Sequence, residues 1–158
     1  MFSQFALHER LLKAVAELNF VEPTPVQMAA IPLALQGKDL RVTAQTGSGK
    51  TAAFVLPMLN RLLGDGASQP RMSVRAMILL PTRELAQQTL KEVERFAQFT
   101  FLKGGLITGG EDFKVQAAML RKVDILIGTP GRLIEHANAG NLLLDEVEVL
   151  VLDEADRM

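Results

Sequence analysis

Apolar residues recur along this chain with two alternating periods. Leu7, Leu11, Leu12, Val15 and Leu18 share one face at helical spacing, which predicts a helix over 7–18. FVEPTPVQ (20–27) interrupts it, because each proline fixes its own φ and biases the preceding residue to extended backbone. A second helical pattern runs over 26–36, with Gly37 as its stop. Short apolar runs then predict strands at 40–44 (LRVTA), 74–80 (VRAMILL), 102–107 (LKGGLI), 123–128 (VDILIG) and 147–152 (VEVLVL). Helical stretches separate them at 50–63, 83–98, 111–121 and 131–139, and the Gly- and Ser-containing run at 64–73 reads as a loop. Strands alternating with helices predict an α/β fold, a parallel sheet with helices on both faces. In such sheets ligands sit outside the carboxyl ends of the strands.

Composition narrows the picture. With 158 residues, 48% hydrophobic and 22% charged, the chain reads as one folded domain rather than a disordered segment. No apolar run approaches the roughly 18 residues of a membrane span, and MFSQFALHER lacks a signal-peptide layout. The absence of Cys excludes disulfides and thiolate metal sites, and two histidines, His8 and His136, exclude a histidine-rich one. Both histidines fall in helical segments and read as surface or packing residues. The net charge of −1 conceals nine basic against thirteen acidic side chains over 81–158, so nucleic acid would have to be held by local contacts, not by a bulk basic surface.

Two segments carry chemistry. AQTGSGKT (44–51) opens a helix after an apolar run and fits the phosphate-loop pattern GxxxxGK[ST], with Ala44 in the first Gly position. Gly47 and Gly49 let backbone N–H groups converge on phosphate oxygens, Lys50 can reach the β- and γ-phosphates, and the Thr51 hydroxyl can ligate Mg²⁺. The alternative is a strand–turn–helix in which the glycines serve only the turn. The second segment is DEAD (153–156), delivered by the apolar run 147–152. Asp153 would complete a magnesium environment and Glu154 would polarise the attacking water. Such acids can also merely cap a following helix.

Together with FVEPTPVQ (20–27), PTRELA (81–86), TGG (108–110) and TPGR (129–132), these segments resemble, in order, the motifs of the N-terminal RecA-like lobe of bacterial-type DEAD-box ATP-dependent RNA helicases. The resemblance covers nearly the whole chain and implies a RecA-like P-loop NTPase fold. It divides the chain into a Q-motif region with N-terminal helices (1–37) and a partial ATP-binding lobe (38–158). It makes Phe20, Pro25 and Gln27 adenine readers, with Phe2 as an upstream stacking aromatic. The Gln27 amide offers donor and acceptor to the adenine edge, although as a residue it also reads as helix N-terminal surface. Ala44, Gln45, Thr46, Gly47, Ser48, Gly49, Lys50 and Thr51 would hold ATP, Thr51 and Asp153 would hold Mg²⁺, and Lys50, Asp153 and Glu154 would be catalytic. Pro81, Thr82, Arg83, Gly109, Gly110, Thr129, Pro130, Gly131 and Arg132 would contact the RNA sugar-phosphate track without reading sequence. Asp156 would couple the lobe to a second one.

The resemblance also implies what lies beyond Met158, a Ser-Ala-Thr strand between the phosphate-loop and DEAD strands, then a second RecA-like lobe carrying arginines for the γ-phosphate. Without them the fold is expected to be incomplete at the C-terminus, with an open sheet edge that invites a domain-swapped homodimer. Three functions follow. One is a cytoplasmic ATP-dependent RNA helicase, and one is a non-catalytic nucleotide- or RNA-binding fragment. The third, a DNA helicase or translocase, leaves Gln27 unexplained.

Overall fold

The computed structural model describes residues 1–42, 44, 48–64 and 73–158, with Asp156 described by its backbone alone. Six α-helices and four strands are present among the described residues: α1 (Glu9–Glu17), α2 (Pro25–Leu35), α3 (Lys50–Leu63), β1 (Ala76–Leu79), α4 (Arg83–Phe96), β2 (Gly104–Ile107), α5 (Phe113–Met119), β3 (Ile125–Gly128), α6 (Pro130–Asn138) and β4 (Val149–Leu152). Every predicted helix and four of the five predicted strands are found. The exception is 40–44, where residues 40–42 and 44 form no strand and residue 43 lies outside the described set. No helix among the described residues is long and apolar enough to cross a membrane.

The chain forms two compact units. The first holds α1, α2 and α3 together with residues 95–101. His8 caps α1 by accepting the Arg10 N–H on Nδ1 (3.1 Å), while its own backbone N–H donates to Asn60 Oδ1 on α3 (2.7 Å). Phe2, Phe5, Phe20 and Phe96 form an aromatic cluster with centroids 5.5–6.1 Å apart, in edge-on and tilted arrangements that suit the ring quadrupoles.

The second unit holds the sheet, α5, α6 and α4 through Glu94. All pairings are parallel, in the order β2-β3-β1-β4. Successive residues of a strand face opposite sides, and β2 shows what covers each. A side chain at Gly104 would meet Leu90 and Val93 of α4, and one at Gly105 would collide with Met119 of α5 and Val123. Helices α4 and α5 therefore lie on opposite faces, close enough at β2 that glycine is needed there. Val74, Met77, Ile107, Leu120, Val123, Leu126, Leu133 and Leu142 form one buried cluster. At the start of β1 the buried Arg75 guanidinium pairs with Glu148 (2.8 Å), and the Glu148 N–H donates to the Arg75 carbonyl (2.7 Å). That joins β4 to β1 before their ladder begins.

The register aligns the strand ends. Leu79 pairs with Gly128 and Leu152, and Ile107 pairs with Gly128. Four segments singled out by sequence, at 81–86, 108–110, 129–132 and 153–156, therefore leave the sheet from one row at its carboxyl edge.

Candidate functional site

In the first unit the feature to build from is the N-terminus of α3. Its cap, Gly49, has φ +84 and makes no side-chain cap bond among the described residues, and a helix start of this kind suits an anionic ligand. A Cβ at Gly49 would collide with Gln27 Nε2 and stand 3.0 Å from Thr24 Oγ1. Glycine is required here by both conformation and space.

Gln27 is the reason the space is filled. It is 2% exposed, and its Nε2 donates to the Gly49 carbonyl at 3.1 Å. Its Oε1 accepts the Thr24 N–H at 2.9 Å, while the Thr24 hydroxyl accepts the Gln27 N–H, a capping box with Pro25 at the first helical position of α2. Sequence reading weighed Gln27 as an adenine reader or a surface residue. The structure buries it as the link between the α2 cap and the phosphate-loop glycine. Thr24 was missed, though T-x-x-Q before an apolar helix is the signature of this cap.

Ser48 Oγ is buried and has no partner among the described residues. An orphaned hydroxyl beside an uncapped helix start and a glycine-only turn fits a phosphate ligand. Ala44, Ser48, Lys50 and Thr51 are half-buried, whereas Gln45, Thr46 and Gly47 lie outside the described residues. Phe20 is half-buried, but Phe2 is 4% exposed inside the aromatic cluster.

In the second unit, the Asp153 N–H continues the β1–β4 ladder by donating to the Leu79 carbonyl at 3.0 Å, and its side chain is buried. Glu154 has φ +56 and ψ +39, a left-handed conformation rare for a non-glycine residue. It turns the chain sharply as it leaves the sheet, the kind of local strain that gathers at functional sites. No group of three or more His, Cys, Asp or Glu among the described residues could hold a metal unaided. A Mg²⁺ that keeps water and phosphate ligands asks for only one or two side chains; the residues read as its ligands, Thr51 and Asp153, belong to the first and the second unit respectively.

The turn at 108–111 is gripped by three side chains. The Thr108 carbonyl accepts from Gln116 Nε2 (2.9 Å), the Gly109 carbonyl from the Arg83 guanidinium, and the Glu111 carbonyl from the Arg132 guanidinium (2.9 Å). Arg132 also reaches Glu135 at 3.3 Å and lies 5.3 Å from the Phe113 ring centroid. The arginines read as RNA-facing charges are thus engaged with the neighbouring turn. The two helix starts differ as well. The Thr82 hydroxyl accepts the Leu85 N–H at 3.3 Å at the start of α4, while Thr129 gives α6 no side-chain cap and leaves its first N–H groups open. Gly109 and Gly110 lie in a turn after β2, not in the strand itself; Gly110 has φ +88, and a Cβ at Gly109 would meet nothing within 4 Å.

Gln116, which sequence reading missed, and His136, read as a surface or packing residue, stand behind this turn. Gln116 and His136 are 4% and 0% exposed. His136 Nε2 lies 2.9 Å from Gln116 Oε1, and its Nδ1 lies 3.2 Å from Asn141 Nδ2. The imidazole stacks on Phe113 at 4.0 Å and 5°. Burial holds its pKa below the ordinary 6.5; the Arg132 charge lowers it further and Glu135 opposes.

Residues 24–158 match the DEAD/DEAH box helicase family. A probable ATP-dependent RNA helicase, ddx27, of Dictyostelium discoideum is 52% identical over 99% of this chain and 20% of its own length. The ATP-dependent RNA helicase RhlB of Hamiltonella defensa is 46% identical over 99% of this chain and 38% of its own. A crystal structure of a DEAD box protein from the hyperthermophile Methanococcus jannaschii superposes with a TM-score of 0.91 at 38% identity, covering 99% of this chain and 42% of that one. That likeness makes the α/β fold RecA-like. The chain thus spans a fifth to two fifths of these proteins' lengths. It belongs to the DEAD/DEAH box helicase family.

Proposed function

We propose that this chain is the nucleotide-binding and RNA-contacting part of an ATP-dependent RNA helicase, in which RNA-stimulated ATP hydrolysis drives local unwinding of RNA duplexes. The observation that carries this reading is the single row from which 81–83, 108–110, 129–132 and 153–154 leave the sheet. A parallel sheet concentrates ligand-binding groups there. The names of the matched relatives, both ATP-dependent RNA helicases, point the same way.

The adenine end is built from Phe20, Pro25 and Gln27. Each polar end of the Gln27 amide is used once within the protein, leaving one hydrogen and one lone pair for the base edge. Phe2, buried against Phe20 and Phe5, supports the Phe20 ring. Ala44 through Gly49 wrap the phosphates, Lys50 balances charge developing on the transferred phosphoryl group, and Glu154 orients the attacking water. Thr51 and Asp153 would hold Mg²⁺, which when bound neutralises phosphate charge. On the RNA side, Gly109, Gly110, Gly131 and the open N-terminus of α6 offer N–H groups to backbone phosphates, with Pro81, Thr82, Thr129 and Pro130 shaping the track. Arg83 and Arg132 act chiefly by holding the turn. Asp156 couples this lobe to a second RecA-like lobe, and the protein works in the cytoplasm.

Replacing Lys50 by Ala in the full-length protein should abolish RNA-stimulated phosphate release; intact stimulated hydrolysis would sink this reading. The share of the relatives that the chain spans favours a second reading for the chain as it stands, binding without turnover. An arginine supplied from outside the phosphate-binding lobe contributes about 10³–10⁵ in rate to related NTPases. ATPase assays with and without RNA, on this chain and on one extended to the relatives' length, separate the two. The exposed Leu150 and Leu152 of β4 also support self-association of the chain, which a solution mass of one copy would rule out.

A further inference from the structure

The three side chains that hold the 108–111 turn are not equally anchored. Arg83 and Arg132 reach it from helix starts near the surface, whereas Gln116 is buried and is itself held by a second buried polar side chain, His136. Three polar residues, Gln116, His136 and Asn141, connect α5, α6 and the loop after α6 at a point where aliphatic side chains would pack at lower desolvation cost.

The direction of the hydrogen bonds can be derived. Asn141 Nδ2 only donates, so the His136 Nδ1 beside it accepts and the ring proton sits on Nε2. That proton goes to Gln116 Oε1, which leaves Gln116 Nε2 as the donor to the Thr108 carbonyl. All four groups are satisfied in one orientation and in one tautomer. The low pKa that burial imposes on His136 keeps the ring in the neutral form this orientation needs.

The end of the chain of bonds lies where it can matter. In a trans peptide the C=O and the following N–H point in opposite directions. With the Thr108 carbonyl turned inward to Gln116, the Gly109 N–H is turned outward. The Arg83 guanidinium holds the Gly109 carbonyl from the surface side, which fixes the next peptide of the turn. Both glycines are exposed, and a Cβ at Gly109 would meet open space.

We propose that Asn141, His136 and Gln116 form a buried positioning relay that aims the Gly109 N–H at an RNA phosphate. His136 and Gln116 are positioning residues, acting through the Thr108 peptide without touching the ligand. The inference rests on the RNA-binding reading of the 108–110 turn.

The test sets hydrogen bonding against packing at one position. His136→Phe keeps an aromatic ring to stack on Phe113 but can neither donate to Gln116 nor accept from Asn141. His136→Gln loses the stack and can do both. The relay predicts that His136→Phe weakens binding of a single-stranded oligouridylate by about tenfold, the cost of one misaligned hydrogen bond to a charged acceptor. His136→Gln should stay within about threefold of the original chain on the same scale. The Gly109 amide resonance should shift in the Phe variant and return toward its original position in the Gln variant, with affinity for ADP unchanged in both.

A packing role predicts the reverse order, and that order, or an unmoved Gly109 amide in a folded His136→Phe chain, overturns the proposal. Should His136→Phe fail to fold, Asn141→Ala cuts the relay at its half-buried end, and wild-type RNA affinity with an unmoved Gly109 amide overturns it equally. Failure of the unaltered chain to bind oligouridylate strikes the RNA-binding reading instead, and the amide shifts then decide whether the relay positions the turn.

Discussion

Two loops of this protein are held by the same device, differently anchored. In the first unit a buried glutamine, Gln27, donates to the carbonyl of Gly49; in the second a buried glutamine, Gln116, donates to the carbonyl of Thr108. In both, a primary amide grips a main-chain oxygen. The anchors differ. The oxygen of Gln27 is taken by the Thr24 N–H three residues away, whereas that of Gln116 is taken by His136, twenty residues away on another helix. The glutamine that grips Gly49 is therefore anchored by local chain geometry, and the one that grips Thr108 by tertiary packing.

The largest effect is expected where the local device meets a strained glycine. Gly49→Ala puts a Cβ at φ +84, at a cost of about 1–3 kcal/mol, and drives it into Gln27. Nucleotide affinity should fall by at least about 100-fold, measured by fluorescent ADP titration, because repositioning the loop removes several phosphate contacts together. Gln27→Leu comes next. It removes half of the capping box and the grip on Gly49 while keeping volume, so about 1–2 kcal/mol of stability should be lost, read by urea denaturation. A Gln27→Leu chain as stable as the original would mean that the two regions do not share a device.

The contrast also explains what could be read in the sequence. Helices and strands followed from apolar period, and the motif segments from spacing, because both are properties of near neighbours. Gln27 was visible as a motif residue and its cap was legible from Thr24, three positions before it. Gln116, His136 and Asn141 carried no such signal. A lone histidine and glutamine in amphipathic helices look like surface polar residues until the α5–α6 packing brings them together. The 40–44 run reads as a strand, yet its described residues, 40–42 and 44, form none. An apolar run is only a potential strand, and strand structure requires a partner to accept and donate its hydrogen bonds.

The titratable anchor gives the second device a pH dependence that the first lacks. Groups around His136 are Arg132 and Glu135 on its own helix, with neutral Gln116 and Phe113 on α5 and Asn141 on the following loop. Its folded pKa lies below 6.5, with burial the main cause. Between that lower value and about 6.5 the unfolded chain binds more protons than the folded one. The stabilisation is complete above about 6.5 and declines as pH falls toward the folded value. Urea midpoints at pH 7.5 and 5.5 should differ, and the difference should shrink in His136→Gln. Thr24 and Gln27 do not titrate in this range, so Gln27→Leu should leave the difference in place.

The smallest effect on stability, and the sharpest separation of the two loops, is expected at Gly109. At Gly49 conformation, space and the proposed ligand contact fall on one residue, so no substitution there can separate them. On the RNA side they are divided between neighbours. Gly110 takes the positive φ of +88 and stands 2.8 Å from Arg83 as a notional Cβ would see it, while Gly109 has neither constraint. Gly110→Ala should cost about 1 kcal/mol. Gly109→Ala should change stability by no more than about 0.5 kcal/mol, as expected of an unconstrained surface position. Its methyl would still stand in the open space beside an outward N–H, where a phosphate has to approach. Oligouridylate affinity should therefore fall in Gly109→Ala while the urea midpoint stays put. Loss of both together would mean that the turn is held by its own backbone rather than by the three side chains that grip it.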